Sequence, residues 1–196
     1  ARLSETIRFL NLVKIKESLG PLPEPVVNPP FVVVSGLPGT GKSFFCRQLA
    51  QRVPSVILES DALRKKLFLS PNYSAEESAR LFSACHLLIV ELLEKGIPVI
   101  FDATNLSERH RERLYHISDN AGAKLILVSI EAPSNVVHQR LRARKERVDP
   151  QDRSDAGWEV YQRMRENAQR IRRNHFVVDT SRDINPAIDK IVRAIR

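Results

Sequence analysis

The sequence predicts an α/β fold, a three-layer, doubly wound sheet of five parallel strands. From residue 31 onward, short segments rich in Val, Ile and Leu alternate with helical segments. Most of these apolar segments show no polar alternation, which is typical of parallel strands that helices cover on both faces. A glycine-rich loop also joins the first strand to the first helix of this region. In such folds the ligand lies at the carboxyl ends of the strands, so we expect the functional residues there.

The predicted elements follow one another with short connections. Five strands are predicted at 31–35, 55–58, 97–102, 124–130 and 175–179. Helices are predicted at 42–52, 61–68, 74–95, 107–121, 134–147, 154–173 and 185–195. Ser74 and Glu77 form a capping-box pattern at the start of the helix at 74–95. This alternation gives one domain at 31–196.

Two further segments precede that domain. Residues 1–20 are predicted to form an amphipathic helix with Ser4 as its N-cap, and its apolar stripe comprises Leu3, Ile7, Leu10 and Val13. Residues 21–30 contain five prolines and are predicted to be a stiff, extended linker. We expect the helix to pack on the domain.

Composition restricts the class of protein without fixing the ligand. The formal net charge is +8 and hydrophobic residues make up 42% of the chain. A basic balance favours phosphate-rich substrates or nucleic acid, but an ordinary basic surface is an equal alternative. Cys46 and Cys85 lie in apolar helical patterns and are expected to be buried free thiols. No apolar run has the length of a membrane span, so we expect a cytoplasmic protein without a membrane partner.

The most specific pattern is G-x-x-x-x-G-K-[ST], a Walker A phosphate-binding loop (P-loop), which follows the first predicted strand. The backbone N–H groups of such a loop bind phosphate oxygens, and its lysine contacts the β- and γ-phosphates. Its serine hydroxyl takes one coordination position of Mg²⁺. We therefore predict ATP and Mg²⁺ as cofactors. The nucleotide-binding residues here are Gly36, Leu37, Pro38, Gly39, Thr40, Gly41, Lys42 and Ser43, with Phe44 next along the helix.

Two motifs that the sequence lacks restrict the class of reaction. It contains no N-K-x-D guanine-reading motif, and Ala103 stands where ATP-driven machines often carry a glutamate for water activation. With GTPase switches and ATP-driven machines disfavoured, the remaining reaction class is phosphoryl transfer to an acceptor other than water. Asp102, at the end of the third strand, is predicted to lie at the metal site with Ser43. The alternative is that Asp102 caps the next helix.

Asp61 follows the second strand and is predicted to act as the general base. A carboxylate at this edge accepts the proton of an acceptor hydroxyl as the γ-phosphoryl group leaves ATP. Arg64, one helical turn later, is expected to face the same cleft. The alternative for Asp61 is an N-cap of the helix at 62–68, which does not exclude catalysis.

Three arginines with helical spacing predict a lid. Arg140, Arg144 and Arg147 share one face of the helix at 134–147, and a charged, turn-rich segment follows at 145–157. Closure of this lid would bring arginines onto the transferring phosphoryl group and exclude water. The alternative is a solvated basic helix face.

From Phe31 to its end the chain resembles the P-loop kinases of the polynucleotide kinase type and their small-molecule kinase relatives. These are AAA-type ATP-binding domains related to zeta toxin and gluconate kinases. The motifs that carry the resemblance are GLPGTGKS at 36–43, ESDALRKKLF at 59–68, FDATN at 101–105, RLRAR at 140–144 and VVDTS at 177–181.

The resemblance implies a kinase fold with a helical lid and a role for each matching residue. Lys42 and Ser43 bind ATP and Mg²⁺, Asp61 is the general base, and Arg64 contacts the acceptor. Arg140 and Arg144 contact the phosphates of ATP. Asp179 and Thr180 border the adenine pocket.

The acceptor stays open between three readings. The runs at 59–64 and 153–156 look closer to the small-molecule relatives, which favours a small-molecule or nucleoside-like acceptor. A 5′-hydroxyl polynucleotide end is the first alternative; Phe68 or Tyr73 could stack on a base, and a basic helix favours nucleic acid. A nucleic-acid-binding protein that uses ATP as a switch, without phosphoryl transfer, is the alternative from another class. The arginines of the basic helix are Arg163, Arg165, Arg170, Arg172 and Arg173.

Overall fold

A computed structural model describes residues 2–151 and 156–196. Its centre is a single five-stranded sheet in the order β2-β3-β1-β4-β5. Each neighbouring pair of strands is parallel, and the central residue Val33 pairs with Phe101 on one side and Leu127 on the other. The predicted α/β fold with five parallel strands is confirmed. The strands are β1 (Pro30–Ser35), β2 (Val56–Glu59), β3 (Val99–Asp102), β4 (Lys124–Glu131) and β5 (Phe176–Asp179).

The helices lie close to their predicted positions, with one clear exception at α7. They are α1 (Arg2–Glu17), α2 (Lys42–Arg52), α3 (Ser60–Leu67), α4 (Ala75–Glu94), α5 (Glu108–Asn120), α6 (Ser134–Val148), α7 (Ala156–Asn167) and α8 (Asn185–Ile195). The capping box of α4 forms, because the Ser74 hydroxyl accepts a 3.1 Å hydrogen bond from the Glu77 N–H.

The helices cover both faces of the sheet and create two separate apolar cores. Phe31 and Val33 of β1 point into the core beneath α1, α3, α4 and α5, whereas Val32 and Val34 point into the core beneath α2 and α8. All six residues of β1 are buried. A strand buried on both faces explains the unbroken apolar run in the sequence.

Helix α1 packs against α4 and α3, but not through its predicted stripe. The helix begins at Arg2, so Ser4 lies inside it and is not its N-cap. Ile7 and Leu10 are exposed, while Ile15 is fully buried beside α4. Asn11 is also buried and accepts a hydrogen bond from Arg80. A buried asparagine breaks the apolar period, which is why the predicted stripe is on the wrong face.

Helix α7 ends at Asn167, six residues before its predicted end at 173. The backbone turns away there because Gln169 bonds to another part of the chain. Its N–H donates 2.8 Å to the Leu106 carbonyl, and its side-chain oxygen accepts from the Glu108 N–H at 2.7 Å. The run 153–156 and part of the predicted lid at 145–157 include residues outside those that the structure describes.

Candidate active site

The phosphate-binding loop lies between β1 and α2, at the carboxyl end of the central strand. Its first N–H group, on Gly36, donates 3.0 Å to the Thr104 carbonyl in the loop after β3. Gly41 precedes α2 with a φ of 91°, a backbone conformation that favours glycine. The side chains of Thr40 and Lys42 both donate to the Leu37 carbonyl, at 2.6 and 3.0 Å. The loop conformation is thus stabilised by hydrogen bonds within the loop and by one to the segment that follows β3.

Two glycines of the loop have neighbours too close for a side chain. A Cβ at Gly39 would lie 3.0 Å from Leu141 of α6, and one at Gly41 would lie 3.0 Å from Thr180 after β5. Leu141 and Thr180 both follow β4 in the chain, so the part of the molecule that contains β4 and β5 packs against the loop. A side chain at either position would be crowded by these neighbours and strained by the positive φ of the two glycines, 78° and 91°.

Ser43 and Asp102, the two residues predicted to bind the metal, contact each other. The Ser43 hydroxyl donates 2.8 Å to Oδ2 of Asp102, which lies at the end of β3 and is buried. Burial raises the pKa of Asp102, while the Ser43 hydrogen bond and the charge of Lys42 oppose that rise. Helix α5 begins only at Glu108, so Asp102 does not cap it.

Charged groups converge on Lys42. Burial lowers the pKa of its ammonium group, whereas the carboxylates of Asp102 and Asp61 oppose the change and Arg144 adds to it. The structure therefore brings together Lys42, Asp61, Asp102 and Arg144, four of the residues predicted from the sequence. Arg144 is on the exposed side of α6.

Glu59 is a further carboxylate at this edge that the sequence analysis did not single out. It pairs with Asp102 in the sheet register, and burial together with the charges of Asp102 and Asp61 raises its pKa. Its place as the last residue of β2, directly before Ser60 and Asp61, is the signal that could have identified it.

Asp61 and Arg64 lie on α3 in different environments. The helix begins at Ser60 with Glu59 at the capping position, so exposed Asp61 lies within the first turn and is not the N-cap. Arg64 is buried and its guanidinium forms a 2.6 Å ion pair with Glu77 of α4. It also donates to Ser78 at 3.0 Å. Asp61 is thus exposed at the carboxyl edge of the sheet, while α4 fixes the position of Arg64.

Arg140 of α6 bonds both to the phosphate-binding loop and to the segment after β5. Its guanidinium donates 3.0 Å to the Thr180 carbonyl and 2.8 Å to the Thr180 hydroxyl, and a weaker 3.4 Å bond reaches the Gly39 carbonyl. The Thr180 hydroxyl in turn contacts the Thr40 carbonyl. Asp179 instead accepts from Ser181, and Phe44 is 48% exposed on α2. Thr180, directly after β5, therefore adjoins the phosphate-binding loop, whereas Asp179, the last residue of β5, bonds to Ser181.

Arg111 is a second residue that the sequence analysis missed. Its guanidinium is 1% exposed and donates to the carbonyls of Asn105 at 2.6 Å and Gln169 at 2.8 Å. Glu108 pairs with it at 2.6 Å. Asn105 itself donates 2.7 Å to the Val34 carbonyl. Arg111 therefore joins the end of the lid region to the loop beneath the phosphate-binding loop, a link that no local sequence pattern reveals.

The two lid helices contact each other through stacked rings. The Trp158 ring of α7 stacks on His138 of α6 at 4.4 Å and on Tyr161 at 4.9 Å between centroids. Stacked aromatic pairs stabilise such helix contacts. Among the described residues, no helix is both long and apolar enough to cross a membrane.

Solved structures with the same fold include three with nucleotide-related or kinase names. The APS kinase CysC of Mycobacterium tuberculosis, in complex with AMPPNP and APS, has a TM-score of 0.63 and 19% identity, over 88% of this chain and 99% of that chain. Kti12 of Chaetomium thermophilum, in complex with ADP-AlF3, has a TM-score of 0.62 and 19% identity, over 85% and 100%. A gluconokinase from Sinorhizobium meliloti 1021 has a TM-score of 0.57 and 19% identity, over 87% and 91%. At this identity they establish the fold, a kinase-like P-loop fold.

Sequence relatives agree with that fold. A UPF0200 protein of Thermococcus onnurineus (strain NA1) is 31% identical over 139 residues, which are 63% of this chain and 73% of that protein. Residues 31–171 match the family described as the AAA domain, so they take in the phosphate-binding loop, Asp61, Asp102 and Arg140. The chain belongs to the AAA domain family of P-loop proteins.

Proposed function

We propose that the protein is a cytoplasmic, ATP- and Mg²⁺-dependent kinase that transfers the γ-phosphoryl group to a hydroxyl of a small-molecule or nucleoside-like acceptor. The observation that carries the proposal is the 2.8 Å hydrogen bond between Ser43 and Asp102 beside buried Lys42, with Asp61 close enough to influence the lysine. The names of two solved neighbours, a gluconokinase and an APS kinase, support the reaction class.

The metal site is supported by the chemistry of its donors. The Ser43 hydroxyl and the Asp102 carboxylate are oxygen donors of the kind Mg²⁺ binds, and they already contact each other. Among the described residues, no cluster of three His, Cys, Asp or Glu side chains could hold a metal. This agrees with a Mg²⁺ ion bound through few protein oxygens and nucleotide phosphates. When bound, Mg²⁺ would neutralise charge on the phosphate oxygens.

The loop and its lysine would bind the phosphates. Lys42 now donates to the Leu37 carbonyl, within its own loop. In the complex its ammonium group would move to the β- and γ-phosphates, while N–H groups at the start of α2 bind phosphate oxygens. Burial of Lys42 strengthens this attraction because the surrounding solvent screens it less.

Asp61 would accept the proton of the acceptor hydroxyl. It is exposed at the carboxyl edge of the sheet, next to Lys42, and so accessible to an incoming acceptor. Proton transfer to a positioned carboxylate contributes typically ~10²–10⁴-fold to rate. Arg64, held by Glu77, would stand beside the acceptor rather than move with it.

The lid arginines would act on the nucleotide. Arg140 contacts the loop at Gly39, and Arg144 affects the pKa of Lys42, so both lie near the phosphate position. Their charges would stabilise the developing negative charge of the transferring group. Asp179 and Thr180 would border the adenine, with Phe44 at the outer edge of the nucleotide.

The course of the basic segment favours a small acceptor over a polynucleotide. Arg163 and Arg165 lie on α7, whereas Arg170, Arg172 and Arg173 follow its end at Asn167. Arg173 places its guanidinium 4.3 Å from the Tyr115 ring centroid. The continuous basic helix expected from the sequence is therefore absent, and a groove for nucleic acid loses its main support.

The test is transfer of labelled phosphate from γ-³²P-ATP to a panel of nucleosides, sugars, aminoglycosides and 5′-hydroxyl oligonucleotides. Asp61→Asn should reduce transfer at least ~10²-fold while the Kd for ATP stays unchanged. Asp119→Asn, an exposed aspartate on α5, is the matched control and should retain activity. Label on oligonucleotides alone would favour the polynucleotide alternative. ATP binding without any transfer, with salt-sensitive RNA binding that survives Asp61→Asn, would favour the switch.

A further inference from the structure

A groove between α4 and α5 lies next to the candidate active site. Its volume is about 680 Å³, within the usual range for small-molecule sites. The loop after β3 forms its upper wall through Thr104 and Asn105, and Arg8 of α1 contributes from the side.

The lining of the groove combines an apolar floor with basic side chains at its edges. The described residues that line it include no carboxylate. The apolar side chains are Phe82, Leu87, Val90, Phe101 and Leu114. The basic and imidazole side chains are Arg8, His86, His110 and Arg113.

Three of these polar side chains are free to bind a ligand. Among the described residues, His86, His110 and Arg113 have no hydrogen-bond or ion-pair partner, whereas Arg8 donates 3.1 Å to Ser83. Burial and the charges of Arg113 and His110 lower the pKa of His86 to about 4. His86 is therefore neutral at physiological pH, in a positive field that no nearby carboxylate balances.

The groove is connected to the reaction centre by two sets of bonds. Thr104 accepts from Gly36 N–H, the first residue of the phosphate-binding loop, and from the Ser35 hydroxyl at 3.1 Å. Ser78, on the α4 wall, accepts from Arg64 at 3.0 Å. A molecule in the groove would thus lie beside the loop and beside the arginine that follows Asp61.

We propose that this groove binds the phosphoryl acceptor, and that the acceptor is an organic molecule with an apolar body and an anionic group. The inference rests on the proposed kinase function. The apolar floor would cover the body, while Arg113 and His110 would bind the anion at the edge. The anion is a carboxylate or a phosphate, since both fit these donors.

Helix α1 acquires a role in this arrangement. Arg8 lies outside residues 31–171, the segment that matches the AAA domain, yet it lines the groove. Its side chain adds a positive charge on the side opposite α5. We therefore propose that the N-terminal helix at 1–20, joined by the linker at 21–30, completes the acceptor site of the domain at 31–196.

The experiment uses pairs of hydroxyl compounds of which one member is neutral and the other anionic: pantothenol and pantothenate, adenosine and adenosine 3′-monophosphate. Binding of each to the full chain with a non-hydrolysable ATP analogue is measured by calorimetry. The charged member of a pair should bind about tenfold or more tightly. The carboxylate and phosphate pairs tell which anion the groove prefers. Equal affinity within every pair, including no binding, overturns the proposal.

Variants then locate the effect. Arg113→Gln should reduce the preference for the charged member about tenfold without changing the Kd of the ATP analogue. Arg109→Gln removes an exposed arginine of α5 that does not line the groove, and should leave the preference intact. If both variants act alike, the effect is one of general charge and the groove is not the site.

NMR and turnover separate this proposal from the kinase proposal. The bound anionic compound should shift the imidazole signals of His86 and His110 but not that of His175, which lies outside the groove. Arg113-dependent binding without transfer to any bound compound would show an anion-binding groove but overturn its role as the acceptor site. Transfer that does not depend on Arg113 would support the kinase and overturn the groove.

Discussion

Arg64 is held in place before any substrate arrives. Glu77 binds its guanidinium at 2.6 Å and also accepts hydrogen bonds from the backbone N–H groups of Asn72 and Tyr73. The Tyr73 ring lies 4.7 Å from the guanidinium carbon. Under the proposed function, a charge fixed in this way would contribute to acceptor binding without losing side-chain entropy in the complex.

The ion pair predicts a pH-dependent loss of stability. Burial would raise the pKa of Glu77, but the hydrogen bonds from Asn72, Arg64 and Tyr73 outweigh it and lower the pKa below the ordinary value of 4.5. This stabilisation is complete above pH 4.5 and is lost as the pH falls through the lower folded-state pKa. Glu77→Gln should therefore reduce the free energy of unfolding at pH 7, because Arg64 loses its charged partner. Urea unfolding at several pH values measures the difference.

The difference between wild type and Glu77→Gln should shrink as the pH falls below 4.5 and disappear below the lower folded-state pKa, where the folded wild-type carboxylate becomes protonated. Glu76→Gln, at the exposed neighbouring position, should have little effect at any pH. A Glu77→Gln effect that stays constant with pH would mean that packing, not charge, holds Arg64.

At the scale of the element, α6 connects the lid to the nucleotide side. Arg140 bonds to Thr180 and Gly39, and Leu141 covers the glycine. Arg140→Ala should raise the Kd for ATP about tenfold, because charge-assisted hydrogen bonds that shape the loop are lost. Titration with a fluorescent ATP analogue measures it.

Arg142→Ala is the control for Arg140→Ala, since Arg142 is exposed on the same helix. It should leave the affinity unchanged. If both variants weaken ATP binding equally, the arginines act only through their contribution to net charge.

The elements show where sequence reasoning succeeds and where it fails. Residues 42–52 were predicted and found as a helix because its start is fixed locally by Gly41 and its apolar face repeats regularly. The predicted end of α7 at residue 173 was wrong because the real end depends on bonds from Gln169 to Leu106 and Glu108, which are distant in sequence. Helical propensity continues past Asn167, but tertiary hydrogen bonds outweigh it.

The candidate site also contains some contacts that the sequence predicts and others that it does not. Lys42, Ser43 and Asp102 come together because strand ends and a loop motif place them, and both signals are local. The Arg64–Glu77 ion pair depends on how α3 packs against α4, so it could not be predicted from the sequence. Glu108 and Arg111 are three residues apart on α5, a local pairing that a helical pattern allows, but the bonds from Arg111 to Asn105 and Gln169 depend on the fold. The roles of the site residues in the reaction stay predictions.

At the scale of the whole molecule, α1 should unfold together with the sheet. Ile15 is fully buried in the core that contains Phe31 and Leu88. Ile15→Ala should therefore lower the global free energy of unfolding by about 3 kcal/mol through the cavity it creates. Guanidinium unfolding followed by circular dichroism and by Trp158 fluorescence measures this change.

Ile7→Ala is the matched control, because Ile7 is 39% exposed on the same helix, and it should change stability by less than about 1 kcal/mol. A separate early transition of α1, with no change in the main midpoint for Ile15→Ala, would show that the helix is an independent unit.

The strand order places the candidate site residues on two sides of β1. Asp61, Arg64 and Glu59 belong to the β2–β3 side, and Arg140 and Thr180 belong to the β4–β5 side, while the phosphate-binding loop stands between them on β1. Under the proposed function, the residues for the acceptor and those for ATP would lie mostly on opposite sides of β1, with Asp102 of β3 as the exception. In evolutionary terms, a lineage with this sheet could acquire a new acceptor through changes around α3 and α4 while it keeps the phosphate-binding loop, Asp102 and the β4–β5 side.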